Sequence, residues 1–295
     1  MIVVKLMGGL GNQMFQYAFA RYLALKNNTS VKTDSSIYKT HQWAKDEAVR
    51  KFELDVFNVS AQEASKDELS FFKKGKLTKI YHYGVLRLGI RSSKLYIREP
   101  YFHFFKRALK AKSFCYLDGY WQSEKYFSSI REVLLKDFTL KHELNPSSEE
   151  MLQKIKACES VSVHVRKTDY IKGSVNSKIY GEITAQYYLQ AMSKVKEKYS
   201  NASFFVFSDD SEWFKKNIST DLPVTFVDFN RGDDSYQDLY LMSQCKHNII
   251  ANSSFSWWGA WLNTNAQKMV IAPQNWFQKG AHDGKDLIPK SWIKL

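Results

Sequence analysis

The 295-residue chain predicts an α/β fold of two domains, each built on a parallel sheet, and three observations lead there. Its length suits two domains of ordinary size with separate cores. Its second half repeats a short apolar run followed by a helix-period segment, the pattern of strands joined by helical crossovers. Its first half opens on the same unit, closed by a glycine turn. Two such domains facing each other would leave a cleft between them. A hydrophobic content of 44% and a charged content of 25% are those of a folded globular protein.

The first unit starts with a strand, Ile2 to Leu6, then a turn, Gly8-Gly9-Leu10-Gly11. Phe15, Ala18, Phe19, Tyr22 and Leu23 follow at helical spacing. From about residue 40 to 140 the segments are short and mixed; Phe114 to Tyr120 looks strand-like but cannot be ordered among its neighbours. His142 to Glu150, with Asn145-Pro146-Ser147-Ser148, predicts a linker, so the domains are expected at 1–145 and 146–295, with a C-terminal tail free to pack back on the first. In the second block, strands are predicted at 161–165, 203–208, 224–228, 247–251 and 269–272. A helix from Thr184 places Tyr188, Ala191, Met192 and Val195 on one face.

The net charge of +13 is concentrated. Between Lys73 and Lys112 twelve Lys or Arg face one acid, Glu99, with seven aromatics interleaved. That composition fits a nucleic-acid surface, an anionic membrane face, or a groove for an acidic or sugar-bearing acceptor. It equally fits a solvated face with a local core. Cys115, Cys158 and Cys245 are too few and too scattered for a disulfide framework or a Cys-based zinc site. The amino terminus has too short an apolar run for a signal peptide, and no eighteen apolar residues follow one another. The expectation is a cytoplasmic protein.

Four motifs carry chemistry. Val161 to Tyr170 is an apolar strand ending in His164, Arg166, Lys167 and Asp169. Ligands of open α/β sheets sit beyond the carboxyl ends of strands, and a guanidinium fork beside an ammonium suits a diphosphate; a strand end with solvated charges is the plainer alternative. Gly8 to Gln13 is neither a dinucleotide fingerprint, because Met14 stands where a third glycine belongs, nor a Walker A loop. It leaves a turn whose N–H groups and helix terminus can approach an anion, with Asn12 and Gln13 offering amides, or a tight turn with no ligand. Ser208, Asp209 and Asp210 end another strand, where capping of the helix carrying Trp213 explains them almost as well as a site. They lack the Asp-X-Asp spacing that holds a metal-bound nucleotide diphosphate. Finally, Asn252, Ser253 and Ser254 close a strand and open a helix, a second anion-binding end. Trp257, Trp258 and Trp261 on that helix read first as core.

These segments, GGLGNQMFQYA, HVRKTDY, FSDD with Trp213, and MSQCKHNIIANSSFSWWGAWLN, resemble those of bacterial α-1,2-fucosyltransferases, in order along nearly the full length. The resemblance implies the GT-B arrangement of two facing Rossmann-like domains, acceptor-side for 1–145 and GDP-fucose-binding for 146–295. It implies transfer of L-fucose from GDP-fucose to a galactose 2-hydroxyl, with inversion, no metal and no other cofactor, in cell-surface glycan synthesis. A transferase of the same fold with another nucleotide sugar or linkage is the alternative. Arg166 would grip the diphosphate with Lys167 beside it, His164 and Asp238 would lie near the guanosine, and Ser254 would bind phosphate with Asn252 and Ser253. Gly9, Gly11, Asn12 and Gln13 would approach the donor from the first domain, and Asp209 would line its site. Asp169 is the candidate general base, or a carboxylate that orients the neighbouring cations. Many members have two arginines where this chain has Arg166-Lys167, and lysine keeps the charge but loses the fork. The expected acceptor is a galactose-containing oligosaccharide or lipid-linked glycan, with an anionic inner-membrane surface as a further partner and no nucleic acid.

Overall fold

A computed structural model describes residues 1–40, 50–74, 95–167, 179–278, 280 and 282–295. The chain divides into two compact units, 1–141 with 283–287, and 142–282 with 288–295. Among the described residues no helix is long and apolar enough to cross a membrane.

Unit 1 carries β1 (Ile2–Lys5), α1 (Leu10–Lys26), β2 (Val31–Asp34), α2 (Ser36–Thr40), β3 (Ala61–Glu63), α3 (Lys66–Lys74), β4 (Tyr96–Arg98), β5 (Cys115–Asp118) and α4 (Arg131–Asp137). Its strands pair in the order β3-β2-β1-β5-β4, every pairing parallel. The successive steps from β1 to β3 move one way and β5 lies on the other side of β1. The crossover direction therefore reverses between β1 and β5, the place where ligands of such sheets bind. Helix α1 is buried along most of its length by Met14, Phe15, Tyr17, Ala18, Phe19 and Leu23, and Phe19 packs on Trp121 and Tyr126.

Unit 2 carries α5 (Pro146–Lys156), β6 (Glu159–Val165), α6 (Ala185–Lys198), β7 (Ala202–Ser208), α7 (Ser211–Asn217), β8 (Val224–Val227), α8 (Tyr236–Gln244), β9 (His247–Ile249), α9 (Ser254–Leu262), β10 (Val270–Ala272) and β11 (Ile293–Lys294). The order is β11-β10-β9-β6-β7-β8, again with every pairing parallel, and the switch lies between β6 and β9. Val161, Val163, Phe204, Val206 and Ile249 pack with Tyr188, Ala191, Met192 and Val195 of α6, as the helical spacing predicts. Trp257, Trp258 and Trp261 are core, with ring centroids 5.1 Å apart for Trp257–Trp258 and for Trp258–Trp261. Gly259 brings α9 close to α8: a Cβ there would lie 2.9 Å from Met242 Cβ.

The boundary between the units falls at 141/142, at the start of the expected linker 142–150, and the later part of that segment is helix. Asn145 Oδ1 accepts from Ser148 N at 2.8 Å and Pro146 opens α5, so Asn-Pro-Ser-Ser is a helix cap and first turn, and residues 142–144 alone connect the units there. Both readings use the same residue types, because turns and caps satisfy the backbone with the same short side chains.

Candidate functional site: two strand-end crevices

In unit 2 the residues that follow β6 and β9 meet across the switch point. Arg166, directly after β6, directs Nη1 to Ser253 Oγ at 3.4 Å, a long contact. Ser253 precedes α9, and its side chain makes no capping bond to that helix. A guanidinium and a helix amino terminus thus share one strand-end crevice, an arrangement suited to a phosphate group. His164, the penultimate residue of β6, is buried, and its Nδ1 has no partner and no solvent. Burial first, and the Arg166 charge second, hold this imidazole well below the usual histidine range, so it is neutral. A neutral ring with an unmatched nitrogen can accept or donate one bond to a ligand, depending on tautomer.

The neighbouring polar groups are committed within the fold. Asp209 Oδ1 accepts from Lys167 N at 2.9 Å, and Asp210 Oδ1 caps α7 by accepting from Trp213 N at 2.9 Å. The capping reading of the Ser-Asp-Asp segment therefore holds for Asp210. Lys167 turns inward: its Nζ donates to Ile183 O at 2.6 Å and lies 3.8 Å from the centre of the Trp213 ring. Burial lowers its pKa. Its ammonium braces a loop and an aromatic face. Asn252 likewise donates Nδ2 to Gly181 O at 2.7 Å and to Trp276 O at 3.2 Å, tying two loops together. Asp238, on α8, accepts from Asn230 Nδ2 at 2.8 Å, in a polar group with Asn145 and Ser148. Burial pushes its carboxyl up to about 7, against the Asn230 bond that favours ionisation. Ser254 is the first residue of α9. Asp169 lies outside the described residues. Among the described residues no group of three or more His, Cys, Asp or Glu is placed to hold a metal ion.

In unit 1 a side-chain pair joins the segments that follow β1 and β5: Gln122 Nε2 donates to Asn12 Oδ1 at 2.7 Å. Gly8 has φ +77° and lies so close to Asn12 that a Cβ would come within 2.3 Å of its Nδ2. Gly9 precedes α1, and Gly11 lies in its first turn. The glycine loop, expected either to approach a ligand anion or to stand as a tight turn, has one of its helix N–H groups occupied within the fold. The chain's own carboxylate sits there: Leu10 N donates to Glu53 Oε2 at 2.9 Å. Gln13 is wholly buried, with Nε2 on Gly8 O and Lys51 O and Oε1 accepting from Glu53 N. Its amide builds the loop. Burial raises the Glu53 carboxyl, with the Leu10 N–H pulling the other way.

Glu99, directly after β4, is a second acid that sequence reasoning missed. Its Oε2 accepts from Tyr120 N at 2.7 Å and Trp121 N at 3.0 Å, while Oε1 is shielded and unpartnered. Burial pushes this carboxyl up to about 7. Trp121 is held at φ +57°, in the left-handed region that costs a bulky residue energy. Gly119 admits the turn, since a Cβ there would lie 2.3 Å from Glu99 Cβ. No motif marks Glu53 or Glu99. Their roles depend on partners 43 and 21–22 residues away, pairings that no local pattern encodes.

Comparison with known proteins agrees with this architecture. The chain is 36% identical over its whole length to "Alpha-1,2-colitosyltransferase" of Escherichia coli, covering 98% of that protein. It is 33% identical over 98% of its length to "O-antigen biosynthesis glycosyltransferase WbnK" of Escherichia coli, covering 99% of it. With "Galactoside 2-alpha-L-fucosyltransferase Sec1" of Mus musculus it shares 26% identity over 89% of this chain and 64% of that one. The crystal structure of "NodZ alpha-1,6-fucosyltransferase soaked with GDP-fucose" superposes with a TM-score of 0.51 at 13% identity, over 88% of this chain and 92% of that one, which shows a shared GT-B-like α/β fold. The sequence model of Glycosyl transferase family 11 matches residues 1–295, and the chain belongs to that family of glycosyltransferases.

Proposed function

We propose that the protein transfers L-fucose from GDP-fucose to the 2-hydroxyl of a galactose-containing acceptor, an oligosaccharide or lipid-linked glycan, in cell-surface glycan synthesis in the cytoplasm. The observation that carries this reading is the pairing of Arg166 with the amino terminus of α9 at the β6/β9 switch point, a place prepared for a diphosphate. On this reading residues 146–295 hold the nucleotide. His164 Nδ1 and the Asp238 carboxyl then offer hydrogen bonds to guanosine, and Ser253 and Ser254 to phosphate. Residues 1–145 take the acceptor, a role supported by the Asn12–Gln122 amide pair and the Glu53 and Glu99 carboxyls near their own switch point, which offer hydrogen bonds to sugar hydroxyls.

The acceptor 2-hydroxyl oxygen attacks the anomeric carbon in one displacement, with inversion. The bond from that carbon to the β-phosphate oxygen breaks, its electron pair leaves with GDP, and Arg166 and the α9 N–H groups stabilise the charge that develops there. The hydroxyl proton passes to a carboxylate, for which Asp169 is our candidate. Lys167, Gln13 and Asn252 act by positioning.

A second donor has a specific observation in its favour: the relative at 36% identity is named a colitosyltransferase. Colitose is L-fucose without its 3-hydroxyl, so the two donors differ by one hydrogen-bonding group. The test is incubation with GDP-fucose or GDP-colitose and a set of β-galactosides, with and without EDTA, following GDP release and product linkage by NMR. Fucose on the 2-hydroxyl, unaffected by EDTA, supports the first reading. Turnover of GDP-colitose alone replaces it with the second, and GDP release from neither sinks both.

A further inference from the structure

The amino-terminal end of the unit 1 sheet, opposite the glycine loop, carries a surface that the transferase reading leaves unexplained. Of the six large apolar side chains exposed among the described residues, four belong to it: Leu25 (42%), Phe71 (54%), Leu95 (44%) and Phe114 (38%). Their neighbourhood follows from the topology. Leu25 sits in the last turn of α1, which runs back from the carboxyl end of β1, and Leu95 and Phe114 directly precede the adjacent strands β4 and β5. Phe71, towards the carboxyl end of α3, stacks edge-on to Phe114 with ring centroids 5.3 Å apart, and buried Phe72 anchors the pair at 5.0 Å from Phe114.

The same end is basic. Lys26 donates to Leu109 O, Asn27 Nδ2 to Ala111 O at 3.1 Å, and the terminal amine of Met1 to Ser113 O at 2.6 Å, which stitches residues 26–27 and 109–113 into one edge. Segments 22–30 and 106–114 contribute Lys26, Lys106, Arg107, Lys110 and Lys112, all exposed, and no acid. A stacked Phe71–Phe114 pair, with Leu25, Leu95 and these cations at the same end of the sheet, is unlike a surface that only faces water, where exposed apolar side chains are scattered singly. It is the combination that partitions into the headgroup region of an anionic bilayer: the rings enter the acyl boundary while lysine stems extend to lipid phosphates.

We infer that this edge docks on an anionic lipid bilayer through Phe71, Phe114, Leu95 and Leu25, with Lys110, Lys112 and Arg107 on the headgroups. The attachment leaves the carboxyl-terminal end of the same sheet, with Asn12, Gln122, Glu53 and Glu99, facing away from the lipid. The inference is independent of which sugar is transferred.

The test is co-sedimentation of the full-length protein with vesicles of phosphatidylglycerol and phosphatidylethanolamine, against vesicles of phosphatidylcholine alone, at low and high salt. Binding to the anionic vesicles, weakened by salt and absent from phosphatidylcholine, is expected. Phe71→Ser with Phe114→Ser, and separately Lys110→Glu with Lys112→Glu, should each lower partitioning by about tenfold or more while thermal melting stays as in the parent. Equal binding to both vesicle types, no binding to either, or unchanged partitioning of both variants overturns the inference. So does a sedimentation velocity shift from dimer to monomer in Phe71→Ser without vesicle binding, which would assign the patch to a second copy of the chain.

Discussion

At the switch point of unit 2 the strand ends present Arg166, a neutral His164 with an unmatched nitrogen, and the amino terminus of α9. At the switch point of unit 1, the same parallel topology presents Glu53 against the amino terminus of α1, the Asn12–Gln122 pair and, one strand further, Glu99. One helix terminus has a guanidinium beside it, while the other has a carboxylate bonded to it, with the Arg50 guanidinium close to Gly9. The comparison teaches that the N–H groups of a glycine turn opening a helix are also open to the chain's own carboxylate. A helix terminus attracts the nearest available negative charge, and when the fold supplies a carboxylate an external diphosphate would meet its repulsion.

The largest effect that could break this contrast is Arg166→Ala. Turnover should fall by at least about 10²–10³-fold, the scale for removing one charge-stabilising donor. Circular dichroism melting should change little; near-normal activity would remove unit 2 as the diphosphate site. Next is Gly8→Ala, which forces an L residue to φ +77° against Asn12. A stability loss of about 1–3 kcal/mol is expected, with GDP affinity, measured by calorimetry, kept if the nucleotide site lies in unit 2. A large loss of GDP affinity at unchanged melting temperature would move part of that site to the glycine loop.

Asp238→Asn tests the electrostatics of unit 2 by pH. The folded carboxyl titrates near 7 against a reference of 3.8, so between those values the folded state binds more protons than the unfolded one and parent stability declines as pH rises. The asparagine variant lacks that decline. Its melting temperature relative to the parent should therefore be higher at pH 8 than at pH 5, by about 2–4 °C for each kcal/mol involved. A difference that does not depend on pH would mean that Asp238 is ionised in the fold throughout. The smallest expected effect sharpens the comparison most: Glu53→Gln keeps an acceptor for Leu10 N and removes the charge, and GDP affinity should stay within about twofold, a change of about 0.4 kcal/mol that is little beside a phosphate contact. A marked gain in GDP affinity would show that the glycine loop takes phosphate once its carboxylate is neutral.

The parallel sheets were legible where strands are long and apolar. β6 and β7 stand out as runs of Val and Phe, and helix spacing after Thr184 places the same residues in the core that the structure does. β2, β3 and β4 were not legible, because Val-Lys-Thr-Asp, Ala-Gln-Glu and Tyr-Ile-Arg are short, partly polar strands with no period to read. In the candidate site, the strand-end positions of Arg166, His164 and Ser253 were legible because each lies at or just past the end of an apolar run. Lys167, Gln13 and Asn252 were legible as polar residues near a site, but not in direction: one rotamer separates a side chain that meets a ligand from one that braces a loop.

By itself the sequence determined the fold class, the order of the strand-helix units in the second half, and the family, since these follow from periodicity and from motifs contiguous in the chain. Only the tertiary structure decided that Glu53 occupies the glycine-loop helix terminus, that Glu99 loses solvent behind the β5 turn, that Lys167 turns to Trp213, and that Leu25, Phe71, Leu95 and Phe114 share one edge. The physical reason is the same for all four: charge, burial and exposure depend on neighbours brought together by sheet pairing and helix packing, over separations that no local pattern records.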